Sequence, residues 1–165
     1  GADLELRRQS CEILTKESFD GYAIGGSLGS DTDELVATVA GTTPHLPTEM
    51  PVHLLGIGVL PSVNRCIPHG IDTFDSSYPT KIARHGMILT KEGPLKLTRQ
   101  IHANEFRPLE DDCTCQTCQH YTRAYLHHLF KANEPSAASL ATQHNLSFMI
   151  RLMSQIRTEI LCGLI

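Results

Sequence analysis

Three cysteines within six residues, Cys113, Cys115 and Cys118 in the run Asp-Asp-Cys-Thr-Cys-Gln-Thr-Cys, constrain this chain more than any other feature. Thiols this crowded cannot each occupy a separate place in an apolar core, whereas a tetrahedral Zn²⁺ takes soft sulfur ligands presented by one short loop. The spacing predicts a metal site. Disulfide or redox pairing is the weaker reading in a chain whose first residues lack a secretory apolar run. Three thiolates leave one tetrahedral position, and a structural site fills it with Cys or His. The candidates are His120, His127, His128, His144 and Cys162. His120, two residues past Cys118, would have to bend back on its own loop, and His127 and His128 lie farther along the following helix. His144 is favoured, because a second helix folding back antiparallel brings its imidazole over the cysteine loop.

Composition bounds the rest. A length of 165 residues fits one domain, and 41% apolar residues suffice for a sizeable core. No run of eighteen apolar residues exists and the first residues do not read as a signal peptide, so a cytoplasmic protein without a membrane span is expected. The net charge of -4 argues against a globally basic nucleic-acid binder. Charge is uneven, however: between Lys81 and Arg107 six basic residues face two acids, a local excess of +4, which by itself reads equally well as a solvated face.

Residues 3–16 have the pattern of an amphipathic helix. A short apolar strand is expected at 22–24, closed by Gly25 and Gly26 and followed by an acidic helix start near Asp31 to Glu34. The pattern repeats with a strand over 52–57 and a helix near 61–69, then again with a strand over 71–74 that delivers Asp75 to its carboxyl end. Such alternation implies parallel βα units with right-handed crossovers, whose ligands bind at the carboxyl ends of the strands. Gly25-Gly26-Ser27-Leu28-Gly29 is not a dinucleotide fingerprint, and tight turns explain its glycines equally well. Beyond Pro79 a hairpin is expected from strands at 87–90 and 95–98, then the cysteine loop, then helices near 119–132 and 137–161.

Several separated segments, in order along almost the whole chain, resemble the bacterial-type tRNA-guanine transglycosylases, or queuine tRNA-ribosyltransferases. They are Gly-Tyr-Ala-Ile-Gly-Gly at 21–26, Leu-Leu-Gly-Ile-Gly at 54–58, Gly-Ile-Asp-Thr-Phe-Asp at 70–75, Pro-Thr-Lys-Ile-Ala-Arg-His-Gly at 79–86, Phe-Arg-Pro-Leu at 106–109, the cysteine cluster, 122–129, and Thr-Gln-His-Asn-Leu at 142–146. The resemblance implies an α/β fold, the C-terminal part of a (β/α)₈ TIM barrel with a zinc-binding insertion. Residues 1–80 would supply the last βα units of the barrel, 81–150 the hairpin and zinc insertion with its helices, and 151–165 a C-terminal helix packing on the barrel. It implies also that earlier strands, with their proton-handling and base-gripping residues, lie outside these 165 residues, which alone would have little or no activity.

The implied activity is that of a pentosyltransferase. Guanine at the anticodon wobble position is exchanged for queuine or its 7-deazaguanine precursor, through a covalent ribosyl-aspartate and a second displacement. Asp75 matches the nucleophile, and a carboxylate at a strand's carboxyl end suits that chemistry as it does in retaining glycosidases. Asp72, read as mid-strand, is structural. Gly25, Gly26 and Ser27 would approach the base closely and Leu55 would pack on its face, where family members often carry Met; Asp31 is a further substrate-binding candidate, in a loop one residue shorter than is common. Lys81 and Arg84 match positions that hold the anticodon loop of tRNA, Lys81 standing where Arg is usual and so offering a point charge without a bidentate contact. Cys113, Cys115, Cys118 and His144 match the zinc ligands one for one. Tyr121, Tyr125 and His128 match an aromatic cluster at a homodimer interface, although helix-face packing would explain their spacing as well. The rival reading is a non-catalytic, zinc-stabilised module for tRNA binding or dimerisation.

Overall fold

The computed structural model describes residues 1–165, which form two compact units, Gly1–Ser77 and Tyr78–Ile165. In the first unit, α1 (Leu4–Leu14) starts where the Asp3 carboxylate accepts from the Leu6 N–H at 3.0 Å, relieving one of the free donors of a helix start. Strand β1 (Tyr22–Ile24) leads to α2 (Thr32–Thr42), β2 (Val52–Leu54) to α3 (Leu60–Cys66), and β3 (Thr73–Phe74) closes the unit. The three strands are parallel in the order β1-β2-β3, with Ala23, His53 and Thr73 in one row across the sheet. This is the α/β alternation expected from the sequence.

Period two decides what each strand does. Val52 and Leu54 are buried with Ile24 against Leu35 and Val39 of α2, while His53 between them points to the other face. Burying Leu54 and Val39 completely is worth about 1.5–3 kcal/mol each. Both later strands are shorter than the sequence suggests. Strand β2 ends at Leu54 because Gly56, at φ +76°, turns the chain. Strand β3 begins only at Thr73, so Asp72 precedes the strand instead of lying mid-strand; its carboxylate accepts from the Val52 N–H at 2.8 Å, a structural use.

The second unit opens with α4 (Tyr78–Arg84), a helix not foreseen in the segment read as a basic face. Gly86, at φ +72°, ends it, and a Cβ there would lie 2.8 Å from Thr98 Cγ2. The expected hairpin is present but short, β4 (Met87–Ile88) pairing antiparallel with β5 (Leu95–Lys96). Three helices complete the unit: α5 (Gln116–His120), which carries Cys118, α6 (Arg123–Lys131) and α7 (Pro135–Leu161). Between the last two, Asn133 takes φ +57° and the Glu134 N–H reaches the Leu129 carbonyl at 2.9 Å, so a left-handed cap closes α6 immediately before Pro135 opens α7. Helix α7 runs unbroken through position 150. Its buried Ala137 and Ala141 allow close approach, and the Thr117 hydroxyl of α5 donates to the α7 carbonyl of Leu140 at 2.8 Å.

Candidate metal centre and candidate active site

The cysteine loop holds its sulfurs together through local geometry. Cys115 caps α5, its Sγ accepting from the Cys118 N–H at 3.4 Å, and the Cys113 N–H donates to the Glu110 carbonyl at 3.2 Å. Helix α7 brings His144 over them. Its Nδ1 lies 3.7 Å from Cys113 Sγ, 3.7 Å from Cys115 Sγ and 3.2 Å from Cys118 Sγ. The four ligand atoms lie within 4.8 Å of one another and could hold a metal ion. The ring is fully buried, and its Nε2 donates to the Leu89 carbonyl at 2.9 Å, which leaves the Nδ1 lone pair for a cation.

Electrostatics favour a cation here. Burial pushes the Cys118 thiol up to about 12, assisted by the neighbouring sulfurs, and burial also raises Cys115. Burial acts against the Cys113 thiolate as well, but hydrogen bonds, first among them the Cys115 N–H, bring this thiol below its ordinary value. Burial lowers the His144 pKa and keeps the ring neutral. Three such thiolates repel one another, and a divalent ion reverses the sign of that interaction. Of the other candidate ligands, His127 is buried and donates from Nδ1 to the Leu97 carbonyl at 2.8 Å, whereas His120, His128 and Cys162 are exposed and outside the cluster.

Two buried groups around this centre escaped the sequence reading. The Asn145 amide is fully buried; its Oδ1 accepts from the Leu89 N–H at 2.9 Å and its Nδ2 donates to the carbonyls of Pro79 and Met87 at 3.0 Å each. It therefore fixes Leu89, the residue just past β4 whose carbonyl orients His144. Arg123 donates to the carbonyls of Pro108 and Leu109 and to Glu105, clamping the loop before the cysteines. A polar residue inside an otherwise helical apolar pattern is the signal that could have found either.

In the first unit, Asp75 stands just past the carboxyl end of β3 with its side chain 61% exposed. Its Oδ1 accepts from the Gly56 N–H at 3.0 Å and from His53 Nε2 at 3.0 Å. The Gly56 N–H, and then His53, hold its carboxyl below the ordinary aspartate range. His53 Nδ1 is in turn 2.8 Å from the Thr73 hydroxyl. His53 was not singled out from the sequence, although a polar residue between two buried ones in a parallel strand is informative.

Gly25 and Leu55 meet at the same strand ends. A Cβ on Gly25 would lie 2.7 Å from Leu55 Cδ1, so any larger residue there would push this half-exposed leucine aside. Gly26 takes φ +80°. Arg7 of α1 donates to the carbonyls of Gly25 at 3.1 Å and Ser27 at 3.4 Å, fixing the loop. Asp31 caps α2 through the Glu34 N–H at 2.9 Å, while the Glu34 carboxylate returns to the Ser30 N–H at 2.7 Å. In the second unit, Lys81 and Arg84 are exposed on α4, and Tyr121 and Tyr125 stack with ring centroids 5.4 Å apart, beside exposed His128 on α6. No helix is long and apolar enough to cross a membrane.

Comparison with known proteins gives one consistent result. The family model described as queuine tRNA-ribosyltransferase matches residues 1–164. The chain is 54% identical over 160 residues to the queuine tRNA-ribosyltransferase of Protochlamydia amoebophila, covering 97% of this chain and 41% of that protein. It is 51% identical over 162 residues to that of Chlamydia felis, covering 98% and 44%, and 50% identical over 158 residues to that of Chlamydia trachomatis serovar D, covering 95% and 42%. The chain thus spans less than half the length of these curated relatives.

Proposed function

From the membership of this chain in the queuine tRNA-ribosyltransferase family, we propose that it supplies the nucleophile, an RNA-contact helix and a zinc module to a tRNA-guanine transglycosylase. The observation that carries the proposal is the constellation at Asp75. A carboxylate kept ionised by a backbone N–H and an imidazole, exposed at the carboxyl end of a parallel strand, is ready to attack an anomeric carbon. The reaction is double displacement: Asp75 replaces guanine on the ribose, and a 7-deazaguanine base, queuine or its precursor, replaces Asp75.

Gly25, Gly26 and Ser27 form the backbone wall near the base, with Leu55 as its apolar face; the close packing of Leu55 over Gly25 supports their placing at one site. Asp31 acts on the base only indirectly, since its carboxylate is engaged in capping α2. Lys81 and Arg84 meet phosphates of the anticodon loop, and their exposure on one short helix supports this. The first unit belongs to the last βα units of a (β/α)₈ barrel, and the second unit carries the hairpin and metal insertion together with α7, a single helix from Pro135 to Leu161. The open edges of β1 and β3, and the exposed Leu6 and Ile13 of α1, fit a sheet that continues in the complete enzyme.

The metal is Zn²⁺. Tetrahedral coordination with Zn–S of about 2.3 Å and Zn–N of about 2.0–2.1 Å requires S···N separations near 3.6 Å, and the 3.7, 3.7 and 3.2 Å found here bracket that value. Three soft sulfurs and one imidazole leave no position for water, so the ion is structural, and it contributes folding free energy. The stacked Tyr121 and Tyr125 with His128 form the homodimer surface beside it, an aromatic patch of the kind enriched at interfaces.

The test is denaturing mass spectrometry of the complete enzyme after incubation with its anticodon stem-loop RNA. An RNA adduct that disappears in Asp75→Asn supports the proposal, and an adduct that survives the substitution refutes it. With residues 1–165 alone we expect zinc and no adduct.

A further inference from the structure

We propose that His53 is the positioning residue for Asp75 and that it drives departure of the carboxylate from the ribosyl ester; this rests on the reading of Asp75 as nucleophile. Both donors to Asp75, the Gly56 N–H and His53 Nε2, converge on Oδ1 at 3.0 Å. With Oδ1 held by these two donors, Oδ2 is the oxygen that attacks. The ring itself is fixed from behind, because His53 and Thr73 are register partners on neighbouring strands and Thr73 Oγ1 lies 2.8 Å from Nδ1. Neutral His53 accepts there from the threonine hydroxyl and keeps its proton on Nε2, the tautomer that can donate to Asp75. If the ring is protonated, Nδ1–H donates to the same hydroxyl oxygen, and the Nε2–H bond to Asp75 survives. The alternation that buries Val52 and Leu54 presents His53 to the opposite face, and Ala23 as its neighbour in the row leaves it room.

The consequence concerns which step each bond assists. In the first displacement the Oδ2–C1′ bond forms as the C1′–N9 bond to guanine breaks, its electron pair leaving with the base, which takes a proton from water. In the second, N9 of the incoming base bonds to C1′ and gives its proton to water, and the C1′–Oδ2 pair returns to the carboxylate. Between the two, Oδ1 is the carbonyl oxygen of a neutral ester. A donor on Oδ1 binds a carboxylate more strongly than an ester carbonyl, so it disfavours accumulation of the covalent species and assists its breakdown. Removing His53 shifts the balance towards the ester.

The experiment compares His53→Leu, His53→Gln and Thr73→Val with the parent in the complete enzyme. It uses a guanine-bearing anticodon stem-loop and labelled guanine, and reads three quantities: steady-state covalent adduct on denaturing gels, exchange rate and melting temperature. A hydrogen bond to an ionised group, discounted for this exposed site, gives an expected five- to tenfold rise, roughly, in the ratio of adduct to free enzyme for His53→Leu, with exchange slower by about tenfold. His53→Gln, whose amide can donate to Asp75, restores most of both. An unchanged or lower ratio in His53→Leu at an unaltered melting temperature overturns the inference. Should His53→Leu lower the melting temperature, the exposed Thr73→Val decides: a rise in adduct of about twofold supports the inference and no rise overturns it. Adduct formed by Asp75→Asn would overturn the nucleophile reading beneath it, an outcome distinct from a silent His53→Leu.

Discussion

Replacing Asn145 by alanine should destabilise the second unit by about 3–5 kcal/mol, taking about 1 kcal/mol or more for each of three buried bonding groups and adding a small cavity term. The groups are the Leu89 N–H and the carbonyls of Pro79 and Met87, all bonded within 3.0 Å to one fully buried amide. A loss of that size is a large fraction of the ~5–15 kcal/mol that holds a domain together. Asn145→Asp should be worse than Asn145→Ala despite its nearly identical shape, because it keeps the acceptor for Leu89 but turns an anion towards two carbonyl oxygens. The metal centre should loosen in parallel, since the Leu89 carbonyl accepts from His144 Nε2. The assay is urea unfolding of the zinc-loaded protein followed by circular dichroism at the helix band, with zinc release followed by a chromogenic chelator. A loss below about 1 kcal/mol for Asn145→Ala would refute the reasoning. So would an aspartate variant milder than the alanine one.

Other perturbations address the remaining parts. Cys118→Ser should abolish stoichiometric zinc, and a strong chelator should lower the melting temperature of the second unit, because metal binding is coupled to folding; elemental analysis and calorimetry check both. Carbon-detected NMR titration should find Asp75 ionising below pH 3.8, moving towards that value in His53→Leu. The sign follows from a folded-state pKa that is depressed: any stability from these bonds is present above the unfolded-state pKa and lost as pH falls through the folded one. Lys81→Ala with Arg84→Ala should weaken stem-loop binding and reduce the slope of log affinity against log salt by about 1.4, near 0.7 for each single-strand phosphate contact, measured by fluorescence anisotropy. An unchanged slope would remove α4 from the RNA surface.

Much of this protein is legible in local sequence. Tyr22–Ile24 is a strand as expected, because three residues between a turn and paired glycines admit little else. The spacing of Cys113, Cys115 and Cys118 dictates a shared site, since no fold could separate them, whereas a helix expected to fold back and the family resemblance favour His144 over its rivals, and the structure brings it there. Helix α4 was not legible: its buried Pro79 and Ala83 interrupt a basic stretch too short for periodicity to register. The shortened β2 and β3 were hidden for another reason. Strand ends depend on the turn at Gly56 and on the Asp72 carboxylate reaching Val52, twenty residues away.

The sequence alone therefore determined the α/β alternation, the shared site of the three cysteines and the place of Asp75, all properties of residues close together along the chain or of a single strand's end. Only the tertiary structure decided that His53 and Gly56 share one oxygen of Asp75, that Leu55 closes over Gly25, and that Asn145 holds Leu89, which orients His144. Each of these joins groups from different elements at hydrogen-bond or van der Waals distance. Such contacts are set by strand register and helix packing, which depend on all the side chains of a unit at once and leave no local pattern to read.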